Sequence, residues 1–218
     1  MSTVVVVDVG IGNLRSVQKA LERAASEAGL GWKAVITPDP DAIARADKVV
    51  VPGQGAFRDC AIALRSGVAD ALRAQIEKGT LFFGICMGLQ TLFRTSEEAP
   101  GYEGLAVFEG TNVRLVDGQR DPATGEAVKI PHMGWNAIEP CGEGHPYLSA
   151  AGGAGTHFYF VHSYHAMPAD PSLLVATAQH GPFRVTAAIA RRNVFASQFH
   201  PEKSQSAGLA VLTAFLRS

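Results

Sequence analysis

A cysteine at position 86 is the residue in this sequence best placed for covalent chemistry. It follows an apolar run, residues 81–85, and stands between Gly84 and Gly88. A tight turn from a strand into a helix needs such small neighbours, and it projects the side chain between them above the carboxyl ends of parallel strands. The N–H groups that open the following helix would favour the thiolate, and the N–H of Met87 could stabilise an oxyanion. The spacing therefore predicts a nucleophile elbow at Cys86.

A free cysteine is more often a small buried hydrophobic residue than a nucleophile. We adopt that interpretation for Cys60 and Cys141. It does not suit Cys86, because paired glycines have no reason to flank a core residue so closely. Three cysteines without zinc-like spacing also favour a reduced, cytosolic protein over a disulfide framework.

A histidine and a glutamate two positions apart, His200 and Glu202, close a strand-like segment near the C-terminus. Residues two apart in an extended segment face the same way, and Pro201 stiffens the chain between them. Glu202 could therefore hold one imidazole nitrogen while the other is presented to a thiol. Alone, such a pair is more commonly a solvated ion pair. Together with the cysteine elbow, it predicts a catalytic base and the carboxylate that orients it.

A glycine-containing loop, residues 51–57, follows another buried strand and contains Gly53, Gln54 and Gly55. Such a turn can be a simple connection, but its backbone N–H groups can also approach a ligand closely. Loops after neighbouring strands of a doubly wound sheet converge at one edge. We therefore expect a second oxyanion donor from this loop.

The composition limits the classes of function. With 218 residues, 47% of them hydrophobic and 18% charged, the chain can bury one sizeable core, and we expect a single domain over residues 1–218. The formal net charge of -1 leaves no excess of basic residues for nucleic acid or an anionic membrane. The apolar start, Val4–Val7, is too short for a signal peptide or a membrane span.

The remaining histidines have no carboxylate partner beside them in sequence. Three of them, His145, His157 and His180, are interpreted as surface or turn residues. Neither these three nor His132, His162 and His165 have a spacing typical of a metal site. We expect no metal and no organic cofactor.

Hydrophobic periodicity predicts an α/β fold: a mostly parallel central sheet flanked by helices, with antiparallel strands added in the C-terminal half. Strands are predicted at 3–8, 32–36, 48–51 and 81–85, and helices at 14–28 and 59–77. From residue 105 onward, short strands are predicted around 107, 113, 158–161, 174–177, 185–189 and 194–198, before a last helix at 204–216. The hydrophilic stretch 117–126 is predicted to be an exposed loop.

Three motifs, taken in order, resemble those of the class I, triad-type glutamine amidotransferases, whose fold is flavodoxin-like. They are Pro-Gly-Gln-Gly at 52–55, Gly-Ile-Cys-Met-Gly-Leu-Gln at 84–90 and His-Pro-Glu at 200–202. The resemblance spans nearly the whole chain. Within that class, the stretches 10–17, 131–136, 160–164 and 198–204 resemble the glutaminase subunits of imidazole glycerol phosphate synthases, and these stretches are more discriminating than the triad.

The resemblance implies that glutamine is hydrolysed here. It implies that the ammonia passes to a separate (β/α)8-barrel synthase subunit of a heterodimer, which makes imidazole glycerol phosphate and AICAR in histidine biosynthesis. Carried onto this chain, it gives a catalytic triad of Cys86, His200 and Glu202. It gives glutamine-binding positions at Gly53, Gly55, Met87, Gln90, Ser163 and Tyr164, and a face toward the synthase at Asn13, Met133, Trp135 and Asn136.

Three positions depart from the family's usual residues. Gln54 stands where valine is usual, Val9 where an aromatic residue is common, and His165 where a second tyrosine is common, and the loop 117–126 is longer than typical. The nearest alternatives are a glutaminase subunit for anthranilate, aminodeoxychorismate or pyridoxal phosphate synthesis, and a γ-glutamyl hydrolase that acts alone. A non-catalytic regulatory subunit of the same fold is the alternative from another class.

Overall fold

The chain alternates strands and helices in its first half and is mainly β-structure in its second. The computed structural model describes residues 2–10 and 12–218, so Ile11, which belongs to the 10–17 stretch, lies outside the described residues. The strands are β1 (Ser2–Val7), β2 (Trp32–Thr37), β3 (Lys48–Gly53), β4 (Leu81–Cys86), β5 (Phe93–Ser96), β6 (Phe108–Arg114), β7 (His132–Ala137), β8 (Glu139–Pro140), β9 (His157–His162), β10 (Tyr164–Pro168), β11 (Leu174–His180), β12 (Phe183–Arg191) and β13 (Val194–Ser197). The helices are α1 (Leu14–Glu27), α2 (Pro40–Ala44), α3 (Phe57–Ala63), α4 (Val68–Lys78), α5 (Met87–Gln90), α6 (Pro146–Ala150) and α7 (Gln205–Arg217), with 3-10 turns at Pro171–Leu173 and Pro201–Lys203.

Among the described residues, eight strands form the central sheet, in the order β2-β1-β3-β4-β13-β12-β11-β8. The pairs from β2 through β13 are parallel, and those from β13 through β8 are antiparallel. Two smaller sheets are also present in the described residues: in one, β6 lies between β10 and β5, and in the other, β7 pairs with β9. The predicted fold class, a mostly parallel sheet with antiparallel strands added in the C-terminal half, is confirmed.

Both faces of the parallel half are buried, which explains its continuous valine runs. In β1, Val4 and Val6 pack into the core on one face of the sheet, while Val5 and Val7 pack into the core on the other. Helices α1, α6 and α7 cover the first face, and α2, α3 and α4 cover the second. The sheet is thus held rigidly between two helical layers, and its carboxyl edge can fix the loops that follow it.

Two of the helices that the sequence predicts differ in length in the structure. The helix predicted over 59–77 is divided into α3 and α4, because Gly67 adopts a left-handed conformation (φ +83°) that ends the helical path. Helix α5, after the elbow, is only four residues long. Any helix-dipole effect on Cys86 therefore comes from a single turn and its free N–H groups. No helix in the described ranges is long and apolar enough to cross a membrane.

Candidate active site

Cys86 lies at a strained turn between β4 and α5. Its backbone has φ +53° and ψ -103°, a conformation that costs a residue with a side chain of the order of 1–3 kcal/mol. The flanking glycines allow this turn to pack closely. A Cβ on Gly84 would lie 2.6 Å from the carbonyl oxygen of Gly88, and a Cβ on Gly88 would overlap that of Val51. The predicted elbow is therefore present, and close backbone packing explains both of its glycines.

Sheet register brings three loops together at this turn. In the β3–β4 ladder Gly53 is opposite Cys86, and in the β13–β4 ladder Ser197 is opposite Ile85. The segments that leave β3, β4 and β13 therefore start side by side at the carboxyl edge of the sheet. This places the 53–55 loop on one side of the cysteine and the segment leading to His200 on the other.

His200 and Glu202 form a buried hydrogen-bonded pair. Nδ1 of His200 lies 2.9 Å from Oε1 of Glu202, and the two side chains are only 1% and 2% exposed. A carboxylate oxygen can only accept, so Nδ1 donates and, in the neutral ring, Nε2 is an acceptor. Nε2 is buried without a hydrogen-bond partner in the described part of the chain. That leaves this nitrogen available to a thiol or a reacting group.

The charge state of His200 depends on opposing influences. Burial disfavours the imidazolium, but the sulfur of Cys86 and the carboxylate of Glu202 outweigh it and raise the pKa of His200 to about 10. The backbone holds the ring in place as well. The N–H of His200 donates to the carbonyl oxygen of Tyr159 at 2.9 Å, and the hydroxyl of Ser204 donates to the carbonyl oxygen of His200 at 2.7 Å.

A cavity of about 440 Å³ opens above Cys86. Five residues predicted to bind substrate line it: Gly55, Met87, Gln90, Ser163 and Tyr164. The sixth, Gly53, is buried in the ladder beside Cys86. The remaining lining residues are Gln54, Glu98, Pro131, Tyr159, Val161, His162 and Lys203.

Sequence reasoning did not find two polar residues of this site. Glu98 lines the cavity, and its Oε2 accepts the N–H of Phe57 at 2.9 Å. No local pattern marks it, because its position depends on how β5 leads into the following loop. Gln198 is fully buried, and its Nε2 lies 3.4 Å from the sulfur of Cys86. A period of two along the strand could have found it, because it stands two residues before His200.

The four residues predicted to face the synthase differ in exposure and in direction. Met133 and Trp135 are 62% and 48% exposed on the same face of β7, and Asn13 is exposed before α1. Asn136 points to the opposite face of β7. Its Nδ2 lies 2.7 Å from the carbonyl oxygen of Gln179. The exposed apolar side chains are thus Met133 and Trp135, and Asn136 is tied into the fold behind them.

Two histidines without a carboxylate partner in sequence are partners of each other. His132 and His162 are opposite one another in the β7–β9 ladder, with His132 Nδ1 2.9 Å from His162 Nε2. Burial lowers the pKa of His132 to about 3 and that of His162 well below its ordinary value. His180, predicted to be a surface or turn residue, is half-buried at the end of β11 and stacks on His132 at 4.2 Å between ring centroids.

His145, His157 and Cys60 lie outside the site and have structural or surface roles. His145 is half-buried and accepts the N–H of Tyr147 at the start of α6, while His157 is exposed. Burial raises the pKa of Cys60 to about 12, as suits an unreactive core thiol. Within residues 2–10 and 12–218, no group of three or more histidine, cysteine or acidic side chains could hold a metal ion.

Comparison with known proteins adds family membership to this geometry. The family model described as glutamine amidotransferase class-I matches residues 5–217. The chain is 47% identical to the imidazole glycerol phosphate synthase subunit HisH of Methylococcus capsulatus, over 100% of this chain and 97% of the relative. It is 44% identical to the protein of the same name from Syntrophotalea carbinolica, over 97% and 98% of the two chains.

Solved structures share the fold at lower identity. A crystal structure described as a glutamine amidotransferase aligns with a TM-score of 0.67 at 21% identity, over 94% of each chain. The structure of PurLQS from Thermotoga maritima aligns with a TM-score of 0.70 at 18% identity, over 99% of this chain and 98% of that one. Since the family model and the full-length relatives agree with the arrangement of the site, the chain belongs to the class I glutamine amidotransferase family.

Proposed function

We propose that this chain is the glutamine-hydrolysing subunit of an imidazole glycerol phosphate synthase, and that it passes ammonia to a (β/α)8-barrel synthase subunit. The observation that carries the proposal is Cys86, held at a strained turn below a cavity, beside the buried His200–Glu202 pair. The full-length likeness to relatives with that subunit name supports the choice of synthase.

The chemistry begins with proton transfer from Cys86 to Nε2 of His200. The raised pKa of His200 favours the resulting imidazolium, which Glu202 holds in place. The thiolate attacks the side-chain carbonyl carbon of glutamine, and His200 then gives its proton to the departing ammonia. This leaves a glutamyl thioester on Cys86. Water, deprotonated by the same imidazole, hydrolyses the thioester and releases glutamate.

The developing oxyanion needs hydrogen-bond donors on the side away from His200. The N–H of Met87 belongs to the first turn of α5, where N–H groups have no partner within the helix. The 53–55 loop lies next to Cys86 through the β3–β4 ladder and supplies the second donor in this proposal. Gln54 fits this role as well as valine would, because the donor is a backbone group.

The cavity also suits the α-amino end of glutamine. Oε1 of Gln90 is a buried acceptor without a hydrogen-bond partner in the described residues, and Gln90 and Glu98 both line the cavity. Together they form an acceptor pair suited to the ammonium group. Ser163 and Tyr164 line the same space and would bind nearer the α-carboxylate.

The synthase would cover the exposed apolar face of β7. Met133 and Trp135 are large hydrophobic side chains left in solvent, and such anchors are typical of protein interfaces. Asn13 lies at the start of α1, and in this proposal it contributes a polar contact at the edge of the same interface.

Glutaminase activity of the Cys86→Ala variant, with and without a barrel-type synthase from the same source, tests the proposal. We expect Cys86→Ala to abolish glutamate release, and Cys141→Ala, which removes a half-buried thiol outside the cavity, to retain it. Unchanged glutamate release by Cys86→Ala would reject the mechanism. Equal activity with and without the synthase would reject coupling to that partner and favour a hydrolase that acts alone.

A further inference from the structure

A chain of hydrogen bonds between buried side-chain amides ends at the sulfur of Cys86. Nε2 of Gln198 lies 3.4 Å from Sγ, and its Oε1 accepts from Nε2 of Gln90 at 3.1 Å. Nε2 of Gln90 also donates to the carbonyl oxygen of Tyr164 at 2.8 Å. Gln198 is 0% exposed and Gln90 is 2% exposed, so water does not compete for these groups.

The direction of these bonds is fixed by chemistry. A backbone carbonyl oxygen can only accept, so Gln90 must turn its NH₂ group toward Tyr164. The second N–H of that group faces Gln198, which must therefore present its oxygen to Gln90. The NH₂ group of Gln198 is then left to point at the sulfur.

Two histidines extend the chain on the other side of the Tyr164 carbonyl. Nδ1 of His162 donates to that oxygen at 3.0 Å, which leaves Nε2 of His162 to accept from Nδ1 of His132 at 2.9 Å. Nε2 of His132 in turn accepts from Nδ2 of Asn136 at 3.1 Å. Each ring is neutral in this arrangement, in agreement with the lowered pKa values of His132 and His162.

We propose that Gln198 is a further catalytic residue of the amide hydrolysis: its side-chain amide donates to the Cys86 sulfur and holds it as a thiolate. His162 and His132 are positioning residues, because they anchor the Tyr164 carbonyl that sets the direction of the amides. The inference rests on the proposed function for the role of Cys86 as nucleophile. It adds a second group to the control of the sulfur, independent of His200.

A neutral N–H donor beside the sulfur stabilises the thiolate more than the thiol. A hydrogen bond to a charged acceptor in a buried site is stronger than one to a neutral acceptor. The neutral thiol can donate its own S–H to the carbonyl oxygen of Val161, 4.0 Å away, and so depends less on a donor from Gln198. The titratable groups around the sulfur are His200, with Glu202 behind it, and Cys60 on α3. The wall of the cavity above the sulfur adds Glu98, Lys203, His162, Tyr159 and Tyr164. Gln198 is a neutral donor, so its contribution to the sulfur persists when these groups change charge.

The rate of alkylation of Cys86 by iodoacetamide measures this effect without a substrate or partner. The rate is followed from pH 5 to pH 10 by mass spectrometry of the Cys86 peptide, which separates it from Cys60 and Cys141. We expect Gln198→Met, which is similar in volume but has no N–H, to slow alkylation at neutral pH about tenfold or more and to move the pH midpoint upward. Gln198→Glu keeps the acceptor for Gln90 but puts an acid beside the sulfur, so it should slow the reaction further.

The matched control is Gln75→Leu. Gln75 is also a buried glutamine with a hydrogen-bonded amide, but it binds the carbonyl oxygen of Ile43, away from the site. We expect this control to lower stability and leave the pH profile of Cys86 alkylation unchanged. In glutaminase assays, Gln198→Met should lower kcat and leave KM nearly unchanged.

Alkylation of both Gln198 variants at the wild-type rate and pH midpoint would overturn the proposal. If one variant does not fold, as judged by circular dichroism, the other decides it. His132→Leu tests the positioning role of His132 and should slow alkylation less than Gln198→Met does. A wild-type pH profile for this variant would show that His132 has no such role. If the Gln198 variants shift the alkylation profile but the wild-type protein does not hydrolyse glutamine, the role of Gln198 at the sulfur is supported and glutamine is rejected as the substrate.

Discussion

Two buried pairs that contain histidine favour opposite charge states of the imidazole. We call His200–Glu202 the reactive pair and His132–His162 the structural pair. His200 faces a carboxylate and a sulfur, and its pKa is raised to about 10. His132 faces a second imidazole and an amide, and its pKa is lowered to about 3. The rings are 1% and 3% exposed, so burial disfavours the imidazolium in both. What differs is the neighbouring group: the sulfur of Cys86 and the carboxylate of Glu202 raise the pKa of His200, whereas His180 lowers that of His132 further.

The comparison shows how one residue type serves two purposes in one fold. The pair at His200 can accept and return a proton, because its partners stabilise the charged ring. The pair at His132 has a fixed tautomer and resists protonation, so it can hold a backbone carbonyl in place. Reactive and structural imidazoles thus differ by the presence of a negative group within hydrogen-bond distance.

Removal of the carboxylate from the reactive pair should have the largest effect. Glu202→Gln leaves His200 buried beside a neutral amide, as His132 is, so the pKa of His200 should fall and the ring should lose its fixed orientation. We expect kcat for glutamine hydrolysis to fall about 10²- to 10⁴-fold. Steady-state kinetics and NMR titration of the His200 ring would measure the two effects.

Glu126→Gln in the exposed loop 117–126 is the matched control, and it should change neither quantity. Wild-type kcat in Glu202→Gln would mean that the sulfur alone sets the behaviour of His200.

The same two pairs also mark what the sequence could predict. The His200–Glu202 pair and the Cys86 elbow depend on residues within a few positions of each other, so local geometry was enough to predict them. The pairing of His132 with His162 depends on the antiparallel register of β7 and β9, which no local pattern specifies. Each of these two histidines looked unpartnered in sequence for that reason.

The fold shows the same division. The alternation of strands and helices predicted the parallel sheet, because each strand carries its own hydrophobic pattern. Helix α2 was not predicted, although Asp39 and Pro40 are typical N-terminal signals and the Asp39 side chain caps it. The break between α3 and α4 was not predicted because the apolar spacing continues across Gly67, and one left-handed residue decides it.

The structural pair should make the protein sensitive to acid. His132 has a pKa of about 3 when folded and an ordinary value of 6.5, so between these values the unfolded chain binds one more proton. The free energy of unfolding should therefore fall as the pH drops below about 6.5, by about 1.4 kcal/mol per pH unit from this residue. Urea unfolding of wild type and His132→Asn between pH 4 and pH 7 would measure the difference in slope.

His132→Asn keeps an N–H near the position of Nδ1 but has no titratable group. The exposed His157→Asn is its control, and it should leave the slope of wild type unchanged. An equal slope for wild type and His132→Asn would contradict a neutral, buried His132.

A carboxylate placed beside the structural pair should convert it partly into the reactive type. In Asn136→Asp, an acid would replace the amide that lies 3.1 Å from Nε2 of His132. An imidazolium at His132 could donate from Nε2 to this acid, which reverses only the bond at position 136, while Nδ1 would still donate to His162. We expect the pKa of His132 to rise by about 1 to 3, with part of the acid sensitivity lost.

The substitution carries a cost, because the carbonyl oxygen of Gln179 loses its donor and faces a negative group instead. Stability at neutral pH should therefore fall by about 1–3 kcal/mol. Asn136→Leu removes the same donor without adding charge, and it should lower stability without raising the pKa of His132. NMR titration of His132 separates the two variants. If the pKa of His132 stayed near 3 in Asn136→Asp, burial alone would fix its charge state, and the contrast with His200 would not lie in the partners.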